Sequence, residues 1–139
     1  MTDADLTRAL EDLGRAQYVS LTTFRRSGEG VATPVWIARD GDTLLVITND
    51  NVGKTKRLAN DSRVTLRPCD VRGRIADGAP TYAGTAVVVR SAAEVAVVKR
   101  AMSSKYLLAR IGNTAEGVLG RFMGRAPRAG IRITLTPGT

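Results

Sequence analysis

Short β-branched runs, separated by turn residues, limit what this chain can fold into more than any other feature. Residues 17–24 alternate, with Val19 and Leu21 on one face and Tyr18, Ser20 and Thr22 on the other. Ser27-Gly28-Glu29-Gly30 is turn chemistry, and a second run extends from Val31 to about Arg39. Asp40-Gly41 signals a tight hairpin into a third run, Thr43–Asn49. Further runs cover 62–69 and Thr81–Arg90. In the last strand Ile131, Ile133 and Leu135 alternate with Arg132, Thr134 and Thr136. Helical spacing is confined to short stretches. Leu6, Leu10 and Leu13 follow a capping pair, Thr2 and Asp5, and stop at Gly14. Lys54–Asn60 and Thr114–Gly124 are two more. Val95, Val98, Met102 and Tyr106 form an apolar stripe behind a Ser91/Glu94 capping box. No strand–helix repeat of about thirty residues is present, which disfavours a doubly wound parallel sheet. The pattern predicts a mainly β fold with flanking helices: six antiparallel strands in a small barrel.

The 139 residues are the size of one domain, 1–139, with a core of its own. They include no histidine, which excludes a Ser-His-Asp triad, a Cys-His pair and any histidine-ligated metal. The single cysteine, Cys69, excludes an internal disulfide and a zinc finger, so no metal site is expected. Residues 1–14 are polar and acidic, the reverse of a secretory leader. The longest apolar runs, such as Ala86 to Val89, are far below the ~20 residues that span a bilayer. A cytoplasmic protein with no membrane partner is the expectation.

The net charge of +8 is unevenly spread. Residues 1–50 carry 5 basic and 8 acidic groups, and residues 51–139 carry 16 and 5. The second part therefore suits an anionic partner. Nucleic acid is the alternative from a different functional class. Six aromatic residues are few for base stacking, and no helix-turn-helix or RNA-recognition signature is visible, so nucleic acid is disfavoured.

Three local features carry the chemistry. Gly53-Lys54-Thr55-Lys56-Arg57 follows a strand directly. It is not a P-loop, because Thr48 stands where the first glycine should be and Asp50 places a carboxylate inside the loop. What remains is a glycine, a helix start, hydroxyls and three cations. Cations at a helix N-terminus oppose its dipole, and a bound phosphate would relieve the conflict. Second, Thr33-Pro34-Val35-Trp36 places a proline inside a strand. Pro34 cannot donate to a ladder, so it marks an edge, a bulge or a ligand's approach. Trp36 beside it is either a core residue or part of a platform for an aromatic ligand. Third, Arg67-Pro68-Cys69-Asp70-Val71-Arg72-Gly73-Arg74 is a segment in which Asp70 can order its neighbours and the arginines can meet a polyanion. Cys69 has no histidine to activate it and is expected to be no nucleophile.

The order of these features, above all Val31-Ala32-Thr33-Pro34-Val35-Trp36, Gly53-Lys54-Thr55-Lys56-Arg57-Leu58 and Arg63–Gly73, strongly resembles the pyridoxamine-phosphate-oxidase-like split β-barrels. Within them it is most similar to the actinobacterial flavin/deazaflavin oxidoreductases that use coenzyme F-420. The resemblance implies a six-stranded split barrel and a homodimer with two cofactor sites at the subunit interface. It implies a cofactor ring along Thr33, Pro34, Val35 and Trp36, near Thr48 and Asn49. The cofactor's phosphate would lie at Lys54, Thr55, Lys56 and Arg57. Cys69, Arg72 and Arg74 would lie near the cofactor and its anionic tail, with Tyr82 reaching in from the second subunit. The implied activity is hydride transfer between coenzyme F-420, or FMN as the alternative, and a small conjugated substrate such as a quinone, enone or tetrapyrrole. Flavin or haem binding is a further possibility on the same fold. Solvent, Tyr82 or Tyr106 would supply a proton, and no catalytic residue is assigned.

Overall fold

The computed structural model describes residues 3–49, 53–109 and 128–136. In chain order the elements are α1 (Asp3–Arg15), β1 (Tyr18–Phe24), β2 (Gly30–Trp36), β3 (Ala38–Asp40), β4 (Thr43–Asn49), α2 (Gly53–Asn60), β5 (Arg63–Cys69), β6 (Tyr82–Val89), α3 (Ala92–Ala109) and β7 (Arg128–Leu135). Thr2, Asn51, Val52 and the expected helix Thr114–Gly124 lie outside the described residues. Among the described residues, no helix is long and apolar enough to cross a membrane.

All strands join one antiparallel sheet in the order β2-β1-β5-β6-β7-β4-β3. The sheet has seven strands where six were expected, because the run Val31–Arg39 is broken at Ile37. Up to Trp36 the run pairs with β1, in the register Tyr18↔Trp36. From Ala38 it pairs with β4, in the register Ala38↔Leu45. The two edges of the sheet are therefore consecutive pieces of one stretch of chain, and the sheet curls to bring them there.

Ile37 is fully buried, so its backbone groups need partners where the ladder lapses. Side chains of α3 provide them. The Ile37 amide donates to Tyr106 Oη at 3.2 Å. The Tyr106 hydroxyl faces the carbonyls of Gln17 at 2.8 Å and Ile37 at 3.0 Å. Lys105 Nζ donates to the carbonyls of Ala16 at 2.5 Å and Ile37 at 2.6 Å.

β4 buries both faces, whereas β6 buries one. Val19, Leu21, Leu44, Val46, Leu66, Ile131 and Ile133 point inward and meet Leu10 and Leu13 of α1. Trp36, Leu45, Ile47 and Val89 point outward, under Val98, Met102 and Tyr106 of α3. All four residues of the α3 stripe are buried. Ser91 caps the helix, accepting from the Glu94 amide and donating to the Glu94 carboxylate. The close approach of α3 requires Gly130: a Cβ there would lie 2.7 Å from Val98 Cγ2 and 2.8 Å from Val89 Cγ2.

Replacing Tyr106 by phenylalanine keeps the ring and removes the hydroxyl that satisfies Ile37 and Gln17. The expected loss is ~1–3 kcal/mol of stability, the scale of a stranded buried polar group, read as a lower urea midpoint.

Candidate functional site

α2 packs on the barrel through Thr55 and Leu58, both buried. That contact fixes which of its cations face inward. Lys54 and Arg57, three residues apart and so on one side of the helix, are half-buried, whereas Lys56 is exposed. Arg57 Nε donates to Thr23 Oγ1 at 2.5 Å, and Thr23 is fully buried at the end of β1. The Arg57 guanidinium folds back over the start of its own helix. A Cβ at position 53 would sit 2.6 Å from Arg57 Nη1, so a side chain there would push the flexible guanidinium aside. Burial pushes the Lys54 ammonium below its ordinary range, and Arg57 pushes it the same way. Burial lowers Arg57 as well, with Arg25 of the β1–β2 hairpin adding to it. Arg26 ties that hairpin to α2 through Asn60 Oδ1, at 3.2 Å. The start of α2 thus gathers Lys54 and Arg57, which no described carboxylate pairs, a local field suited to a phosphate.

A second group forms around Pro34, which is exposed on the edge strand β2 opposite Ser20. The loop after β5 returns to it, placing Gly73 so that a Cβ would be 3.7 Å from Pro34 Cδ. The Asp70 carboxylate orders this loop by accepting from the amides of Arg72 and Arg74, each at 2.8 Å. The order comes through backbone amides and leaves both arginine side chains exposed. Pro68, Cys69, Asp70, Arg74 and Ile75 line a cleft of about 400 Å³ here. Cys69 is half-buried, and burial together with Asp70 raises its thiol pKa.

Other candidates are turned inward. Val35 is in the inner core, and Thr48 is buried at the end of β4. Trp36 is 6 % exposed, stacked on Tyr106 at 5.0 Å and edge-on to Tyr18 at 6.2 Å. Thr33 has its Oγ1 buried with no partner, in register with Leu21. Asn49 pairs through its backbone with Arg128. The Tyr82 hydroxyl donates to Asp12 Oδ2 at 2.8 Å and holds α1, and burial with that bond pushes its pKa up to about 12. Tyr106 is raised further by burial, so neither tyrosine is placed as a ready proton donor. Sequence reasoning gave no role to Thr23 or Lys105. Arg67 has Nη2 on the Ala79 carbonyl at 2.8 Å and a buried, unpartnered Nε. Among the described residues, no cluster of acidic, cysteine or histidine side chains could hold a metal ion.

The family profile described as pyridoxamine 5'-phosphate oxidase matches residues 6–136, nearly the whole chain. The chain belongs to this family. Among solved structures, a conserved hypothetical protein of Mycobacterium tuberculosis, Rv2991, is similar at 20% identity and TM-score 0.69, over 99% of this chain and 82% of that one. The heme storage protein HutZ of Vibrio cholerae is similar at 11% identity and TM-score 0.68, over 96% and 92%. A structure named as an F420 reductase is similar at 18% identity and TM-score 0.59, over 90% of each chain. These likenesses establish the shared fold. A search of curated protein sequences finds no match.

Burial lowers Lys105 from 10.5 to about 8. Between those values the unfolded chain holds more protons than the folded one, so stability should rise with pH from about 8. Lys54 acts in the same direction. Above pH 10 the sign reverses, because the unfolded tyrosines ionise while Tyr82 and Tyr106 resist. Urea midpoints measured across this range should show the rise and fall, and Lys105→Met should flatten the rise.

Proposed function

We propose that the protein is an oxidoreductase that binds coenzyme F-420, with FMN as the alternative cofactor, and reduces a small conjugated organic molecule. The observation that carries this reading is the start of α2. There a half-buried Lys54 and the Arg57 guanidinium, anchored on Thr23, crowd a helix N-terminus beside Gly53. This donor set fits a phosphate: two cations, a helix start and no carboxylate in the first turn. Lys54 and Arg57 would hold the phosphate. Pro34 on the exposed edge and the loop 70–74 would border the ring, and Arg72 and Arg74 would face an anionic tail. Membership of the pyridoxamine 5'-phosphate oxidase family and the F420 reductase among its structural neighbours support the assignment.

When bound, the cofactor supplies the hydride chemistry, and the chain binds and orients it. Solvent is the proton source in this reading, since the hydroxyls of Tyr82 and Tyr106 are committed to Asp12 and to backbone carbonyls. Cys69 stays a thiol at neutral pH and takes no nucleophilic part. Haem storage, the property named for the Vibrio cholerae neighbour, would lack a histidine ligand here.

The reading includes a homodimer. α3 covers the outer face of β4, which leaves the outer face of β6, with Ala83, Thr85 and Val87 exposed, for a second copy. Val87 is 54 % exposed. Light scattering at micromolar protein should report twice the chain mass, and a monomer that binds cofactor at full affinity would refute shared sites.

Side-by-side titration with coenzyme F-420 and FMN tests the cofactor. The expected result is saturable F-420 binding that Lys54→Ala weakens by ~1–3 kcal/mol, while exposed Lys56→Ala costs less. No saturable binding of either cofactor overturns the proposal, and tighter FMN binding replaces the deazaflavin with the flavin. Steep salt-dependent binding of random oligonucleotides would favour the nucleic-acid reading instead.

A further inference from the structure

We propose that the cleft bounded by the end of α1, β3 and α3 is a second binding site, for a small organic anion with an apolar body. Its volume is about 540 Å³, within the ~300–1,000 Å³ of ordinary ligand sites. It shares no residue with the start of α2 or with the cleft at Cys69.

The lining is charged in one sense. Arg39, Arg100 and Lys105 face a single carboxylate, Asp40. None of the three cations makes an ion pair among the described residues. Arg39 commits only Nε, to the Gly41 carbonyl at 2.8 Å. Lys105 spends two of its three N–H groups on the carbonyls of Ala16 and Ile37, leaving one. The Arg100 guanidinium is exposed. An anionic head bound among two guanidinium groups and an ammonium would be attracted by all three. Beside them Val97 and Ala101 form an apolar wall on α3. Val97 is 38 % exposed, and among the described residues Val71 and Val87 are the other large apolar side chains so exposed. Cationic and apolar groups on adjacent turns of one helix select a carboxylate or phosphate ester carrying a hydrocarbon ring or chain.

Benzoate and phenyl phosphate are suitable probes, with benzyl alcohol as the neutral control. Titrated into the full-length protein and followed by amide NMR, each anion should shift the signals of Ala38–Asp40 and Val97–Lys105 in a saturable way. Arg100→Glu, at an exposed position, should weaken binding by about tenfold or more, while Arg8→Glu on α1 should leave it unchanged. A preference for one anion identifies the head group. The inference is overturned by an absence of saturable shifts, by undiminished binding to Arg100→Glu, or by equal binding of benzyl alcohol. Shifts centred on Lys54–Arg57 would also overturn it, by assigning the anion to α2. Because the probes need neither coenzyme F-420 nor FMN, failure here leaves the cofactor reading untouched.

Discussion

The fold depends on how one buried residue keeps its backbone satisfied. Ile37 sits where a strand leaves β1 and takes up β4, and neither ladder can serve it there. An unpaired amide and carbonyl at a fully buried position would cost several kcal/mol, enough to threaten a domain of ordinary stability. Tyr106 and Lys105, neighbours on α3, bond to those groups and to the carbonyls of Ala16 and Gln17, which lead into β1. The same helix turn stacks Tyr106 on Trp36. Closure of the sheet, docking of α3 and burial of the single tryptophan are thus one arrangement.

This arrangement also shapes the chemistry left to the site. In a chain without histidine, tyrosines and the cysteine would be natural proton carriers. Here Tyr106 holds the strand break, Tyr82 holds α1 through Asp12, and Cys69 is kept protonated by burial and Asp70. What the protein leaves unspent is positive charge, concentrated where helices and hairpins begin. Its residues are disposed to bind and orient a reactive molecule.

Much of this was legible because it is local. β4 runs over Thr43–Asn49 as the Asp40-Gly41 turn before it predicts, and the α3 stripe is buried throughout. The break at Ile37 was not legible. Apolar alternation runs through it undisturbed, and the residue that permits it, Tyr106, is 69 positions away. Trp36 was read with two outcomes open, and the stack on Tyr106 decides for the core. Within the basic turn Lys54, Lys56 and Arg57 read as one group of cations, and only the packing of the helix turns Lys54 and Arg57 inward and leaves Lys56 exposed. Thr23 carried no signal, since one threonine in a β-branched strand looks like any other. The seventh strand arises from the same long-range cause as the break.

Strand order has a consequence for how the chain is made. β7, residues 128–135, lies between β6 and β4, and it alone connects the β3–β4 hairpin to the rest of the sheet by hydrogen bonds. During synthesis the early hairpins can form as they emerge, but they share no ladder until this late segment arrives. The growing chain therefore carries two sheet fragments with open edges for most of its translation, the state in which strands mispair with neighbours. Native pairing across such long sequence separations is slow to establish. A chain cut before Arg128 would retain nearly all its strands and still lack the one that unites them.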